Sequence, residues 1–260
     1  MKPIVSSAGT VIGEVFGRAY ERGDRPALVD LRSGDVYGYR KLVSEITGAA
    51  SGMVRRGARR DQVVGVYVST VSAQTLAVHT VLAAGGVAAP LDPGLGVAEL
   101  AARLSESEAR TLVVTADLAP VALAAIEETR VRQVIAFGRV LDTVDFADLL
   151  TLEPMPLPMV EPGRQEALLL AGGITLAHSG LLARMAELDR RVKLTEQDVV
   201  LATWRPDGGC DLIALIALSV VSGALLVAAG GPAETDLDGT LHDFGVTVMT
   251  GPGGTVERVG

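Results

Sequence analysis

The sequence predicts an α/β protein built as two lobes of mainly parallel sheet flanked by helices. Three observations carry that prediction. Short apolar runs alternate with amphipathic stretches almost from end to end. The runs are apolar at successive positions, as strands covered on both faces are. A Pro-rich break, TLEPMPLPMVEPGR at residues 151–164, divides the pattern. Its four prolines exclude helix and central strand. The division gives a first lobe over 1–150 with an N-terminal helix and an edge hairpin, a linker over 151–164, and a second lobe over 165–260.

Each element has its own signal. ALVDLRSGDVYGYRKL reads as two short β runs around the turn residues RSGD. VVGVYV (63–68) is a strand, SAQTLAVHTVLAAGG a helix, and VAAPLD (87–92) the next strand. VAELAARLSESE is helical, TLVVT (111–115) extended, LAPVALAAIEET helical, and VRQVIAFG (131–138) extended. Beyond the break, ALLLAG (167–172) leads towards the helical SGLLARMAELDRRV, followed by the strand DVVLAT (198–203). LIALIALSVVSGALLVAA (212–229) approaches the length of a bilayer span. Ser219, Ser222 and Gly223 interrupt it, so a helix, a tight turn and a buried strand are expected instead. A helical LDGTLHDFG and the strand VTVMTG (246–251) complete the series.

Composition narrows the function. Apolar residues make up 48% and aromatics 3%, so the core must be built of Ala, Val and Leu. A net charge of −8, with RRGARR (55–60) as the one short basic block, argues against nucleic acid as a partner. The single cysteine, Cys210, excludes an internal disulfide and fits a reducing, cytoplasmic setting. No signal peptide is expected from the N-terminal pattern. Three scattered histidines and one cysteine offer no metal-ligand spacing, so no metal is expected. His79 reads as packed and His242 as solvent-facing.

Residues 24–115 resemble the adenylate-forming superfamily of acyl-CoA synthetases, coumarate-CoA ligases and non-ribosomal adenylation domains. The likeness rests on DRPALVD, on SGDVYGYRKLVSEITGAASGMVRRGARRDQVVGVYV and on HTVLAAGGVAAPLDPGLGVAELAARLSESEARTLVVT. It extends to LTEQDVVLAT, ALSVVSGALLVAA and DFGVTVMTGP. The resemblance implies the fold of the N-terminal part of acyl-CoA synthetases. It also implies a strand, a phosphate-wrapping loop of the form SGTTGxPKGVxxTH, and a helix. Here the corresponding stretch is ALLLAGGITLAHSG (167–180), in which Gly173 matches the glycine after the family lysine and His178 the final histidine. The hydroxyl cluster and the lysine are absent; the chain's lysines are Lys2, Lys41 and Lys193. About three lost charge-assisted hydrogen bonds, at roughly 1.5–3 kcal/mol each, weaken ATP binding by ~10³–10⁶. The family's aromatic, histidine-bearing "PffH" segment is replaced by TWRPDGGC (203–210), and segments like "YG.TE" and "TGD" do not occur.

The resulting expectation is a degenerate acyl-CoA synthetase-like protein in which ATP and Mg binding are lost. It would serve as a binding or interaction protein for a small acyl or aryl ligand, a CoA or acyl thioester among them, or for a partner protein. Gly172, Gly173, His178 and Trp204 are the expected ligand-facing residues. Homodimerisation is expected because family members continue beyond this length and bury further faces. A repurposed enzyme is the alternative, with His178, Asp207 and Cys210 as candidate acid, base or nucleophile; one half of a split acyl-CoA ligase is another. A helix start would favour a Cys210 thiolate, whereas PDGG around Asp207 is also an ordinary turn.

Overall fold

A computed structural model describes residues 9–150, 155–161, 163–203, 209–230, 237–251 and 255–259. Trp204 and Asp207, expected at the site, lie outside the described residues.

The chain opens with helix α1 (Val11–Ala19), capped by the Thr10 hydroxyl, which accepts from the Gly13 amide at 3.0 Å. Strands β1 (Pro26–Asp30) and β2 (Val36–Gly38) form the predicted hairpin. Helix α2 (Tyr39–Arg55) leads to β3 (Val63–Tyr67), α3 (Val71–Ala83), β4 (Val87–Leu91), α4 (Val97–Glu106), β5 (Thr111–Thr115), α5 (Ala119–Ile126) and β6 (Gln133–Phe137). The short β7 (Val144–Asp145) and α6 (Phe146–Leu150) precede the Pro-rich break. Beyond it run β8 (Glu166–Leu170), β9 (Ile174–Ala177), α7 (His178–Val192), β10 (Val199–Thr203), α8 (Gly209–Ser222), β11 (Leu225–Ala229), α9 (Leu237–Phe244), β12 (Val248–Thr250) and β13 (Val256–Arg258).

Among the described residues the strands form two sheets, β7-β6-β5-β3-β4-β8-β9 and β13-β12-β10-β11-β1-β2. Both are parallel except at their edges, where β9, β13 and β2 pair antiparallel. The α/β architecture of two mainly parallel, helix-flanked sheets is therefore present. Sheet membership crosses residues 151–164 in both directions. The N-terminal β1 pairs with β11, and β8 pairs with β4. Chain order and sheet order differ because a parallel strand needs a crossover, and the crossover can carry it to either sheet.

Helix α3 explains how the sheets are joined. It touches β3 and β4 of one sheet and β1 and β11 of the other, and every one of its residues is buried. That is why its apolar residues are spread around the helix and not gathered into one stripe, with Ser72, Gln74, Thr75, His79 and Thr80 buried among them. The largest apolar cluster runs continuously through both sheets and the helices between them; smaller clusters lie under α4 and α5 and under α9. The 212–229 run resolves as predicted: α8 ends at Ser222, Gly223 turns at φ +88°, and β11 follows. Among the described residues no helix is long and apolar enough to cross a membrane.

Candidate functional site

The stretch 167–180 is a strand, a tight turn, a second strand and a helix. β8 and β9 pair antiparallel, with Leu170 opposite Ile174, so Ala171, Gly172 and Gly173 alone form the turn. Gly172 (φ +78°) and Gly173 (φ +75°) are both left-handed. A side chain at either would meet nothing within 4 Å, so backbone conformation and not space calls for glycine. The turn is exposed and offers neither hydroxyl nor ammonium to an anion.

Beside it lies a crevice of about 310 Å³ at the carboxyl ends of two strands. β4 and β8 share one register pair, Ala88 with Leu168; past it, Leu91 and Leu170 line the crevice. Leu95, Leu169 and the Gly172–Gly173 turn complete an apolar wall. Asp92, Arg103 and Glu106 add charge, with Arg103 held on Glu106 at 3.1 Å. The Tyr67 hydroxyl, beneath the following loop, reaches the carbonyl oxygens of Pro93 (3.1 Å) and Leu95 (2.8 Å) and so fixes that wall. The carboxyl edge of a parallel sheet is where ligands enter folds of this class. Sequence reasoning did not single out Leu91, Asp92, Leu95 or Arg103. The available signal was the Pro- and Gly-rich LDPGLG at the end of a predicted strand.

The structure brings Gly172 and Gly173 to this crevice and leaves His178 out of it. His178 opens α7 at the other end of the hairpin, where its amide donates to the Gln165 carbonyl at 3.2 Å. Four extended residues separate the two ends, roughly 13 Å at 3.3 Å each. The imidazole is fully buried, and neither ring nitrogen has a hydrogen-bond partner. Burial pushes its pKa down to about 4, so it is neutral at physiological pH. The ligand-facing role expected of His178 thus gives way to a packed one. His79 is buried as well, with its Nδ1 on the Thr75 carbonyl oxygen at 2.7 Å, and His242 is exposed.

Cys210 is the second residue of α8 and half-buried. Burial, and then the Asp211 carboxylate beside it, push its thiol pKa up. Asp211 holds Arg184 through two bonds of 2.5 and 2.6 Å, so the start of α8 is a structural joint with α7. The helix start does not favour a thiolate there, because burial first and the neighbouring carboxylate second oppose it. No group of His, Cys, Asp and Glu suited to a metal ion occurs among the described residues.

Comparison with known proteins agrees with the architecture. The sequence model of the family described as AMP-binding enzyme matches residues 15–166, more than half of the chain. The chain belongs to the AMP-binding enzyme family. A nonribosomal peptide synthetase, fmqC of Aspergillus fumigatus, is 29% identical over 113 residues, which are 43% of this chain and 10% of that protein. A long-chain-fatty-acid-CoA ligase (FadD1) from Archaeoglobus fulgidus superposes with a TM-score of 0.83 at 20% identity, over 95% of this chain and 52% of the ligase. MbtA from Mycobacterium smegmatis gives 0.81 at 23% identity, over 92% of this chain and 47% of MbtA. The chain thus spans about half the length of these AMP-binding-fold structures.

Proposed function

We propose that this chain keeps the AMP-binding fold for binding and does not adenylate by itself. The observation that carries the proposal is the turn at 171–173: β8 and β9 close on each other through Ala-Gly-Gly, where the resemblance calls for a longer loop of hydroxyls and a lysine. Phosphate binding by such loops needs several converging donors, and three residues cannot supply them. The crevice beside the turn suits a small ligand with an apolar acyl or aryl body, a thioester included, since about 310 Å³ lies at the lower end of ligand-pocket volumes. The repurposed-enzyme reading is weaker, because His178 is buried and Cys210 carries no activated thiol.

The test pairs thermal shift with pyrophosphate exchange. Millimolar Mg-ATP should give no shift, while an acyl or aryl carboxylate or its CoA thioester should stabilise the protein. Leu170→Trp, which fills the crevice, should abolish that stabilisation. Acid-dependent exchange of pyrophosphate into ATP by the purified chain would overturn the proposal.

A further inference from the structure

At the opposite edge of the seven-stranded sheet, where β3, β5, β6 and β7 begin, lies a groove of about 960 Å³. Five arginines line it: Arg56, Arg59, Arg60, Arg110 and Arg132. All are exposed, and none forms an ion pair among the described residues. Against them stand two lining carboxylates, Asp61 and Asp142. The excess of positive charge here is the reverse of the chain as a whole, whose net charge is −8.

The groove is also held in shape. Arg56 ends α2, with its amide on the Gly52 carbonyl oxygen at 3.0 Å, and Ala58 closes on Met53 at 3.0 Å. The Asp61 amide donates to Gly85 at 2.9 Å, which anchors the Arg59–Arg60 turn to the start of β4. Arg132 donates its amide to the Arg110 carbonyl at 2.9 Å, placing these two arginines side by side just before β5 and β6. Because backbone bonds fix the loops, a partner need not order them on binding.

We infer that this groove docks an acidic segment of a partner protein, one rich in Asp and Glu. Guanidinium groups bind carboxylates through paired, charge-assisted hydrogen bonds, and arginine clusters are a recurring way to read acidic motifs. Nucleic acid fits less well, because no aromatic side chain lines the groove to stack a base. The groove sits at the far edge of the sheet from the crevice, so docking here is independent of the ligand reading above.

A fluorescein-labelled octaglutamate peptide tests this by anisotropy at low salt, with oligothymidylate and inorganic tripolyphosphate as competitors. Arg110→Glu/Arg132→Glu should weaken peptide binding by roughly tenfold or more. Arg190→Glu/Arg191→Glu, the same charge change on the exposed end of α7, should leave it within about twofold. If the reversed pair lowers the melting temperature, Arg110→Gln/Arg132→Gln takes its place. Absence of saturable binding, equal loss in both variants, or tighter binding of the oligonucleotide or of tripolyphosphate would overturn the inference.

Discussion

The two ends of the β8–β9 hairpin are built by opposite rules. At the base, Ala167, Leu168 and His178 are almost completely buried, and the chain closes through the amide of His178 on Gln165. At the tip, Ala171, Gly172, Gly173 and Ile174 are exposed, and Ile174 retains 62% of its accessible surface. The family-like residue, His178, survives at the buried end. The exposed end carries Ala-Gly-Gly, with no hydroxyl and no lysine. Packing holds what it buries, since altering it costs folding energy, whereas an exposed turn is held only by what it binds.

If that contrast is right, equivalent truncations should separate widely. Leu168→Ala removes a fully buried side chain next to Ala88 and should cost about 2–5 kcal/mol. Ile174→Ala, six residues on, should stay within about 0.5 kcal/mol. Urea unfolding followed by circular dichroism measures both. A similar loss for the two would break the comparison at once.

The base also carries a pH signature. His178 titrates near 4 in the folded protein against an ordinary 6.5. Between those values the unfolded chain binds a proton that the folded chain refuses. Stability should therefore fall as pH drops from 6.5 to 4, by about 3 kcal/mol for the whole window, and be flat in this term above 6.5. Burial pushes His79 in the same direction, so its contribution has the same sign. His178→Phe should remove most of the His178 slope and leave neutral-pH stability equal or higher, because two unpartnered buried nitrogens disappear with it. Parallel unfolding series at pH 7.5, 5.5 and 4.5 decide it; an unchanged slope in the variant would place the titrating group elsewhere.

Most of this fold was legible because its strands are short apolar runs between turn residues, and its helices carry clear periodicity. β5 and α8 fall almost where the pattern puts them. What was not legible is pairing. β1 sits beside β11, nearly two hundred residues on, and a strand apolar on both faces names no neighbour. β9 was missed because ITLA is only four residues long and follows a glycine pair, which reads as loop. The burial of His178 was written in the sequence: His178, Leu181, Met185, Leu188 and Val192 share one stripe of α7, and all five are buried. Motif matching drew attention to the strand-helix junction, and helical spacing was the better guide. The arginine groove was half visible in RRGARR, but Arg110 and Arg132 join it only because β5 and β6 begin at the same sheet edge.

Smaller effects belong to the tip. Gly172→Ala forces a side chain into φ +78° and should cost about 1 kcal/mol, all of it conformational, since nothing lies within 4 Å of the added carbon. A melting shift larger than a buried-site truncation would mean that the turn holds more than itself.

Lengthening the turn should also cost little. Inserting a Gly-, Ser- and Thr-rich segment with one lysine between Ala171 and Gly172 only extends an exposed connection. Each doubling of loop length adds about 0.6 kcal/mol of closure entropy, so the expected loss is near 1 kcal/mol. The pairing of Leu168 with Leu176 and the packing of Ala167 and Leu168 lie below the insertion and should hold the register. The lengthened variant therefore asks whether the short turn is a structural necessity or a lost ligand contact. If it folds with nearly parental stability and gains a thermal shift with Mg-ATP, the tip is free to vary and its present shortness is about binding. If it unfolds, or loses more than about 2 kcal/mol, the Ala-Gly-Gly turn is what sets the hairpin register, and the division between a packed base and a permissive tip fails.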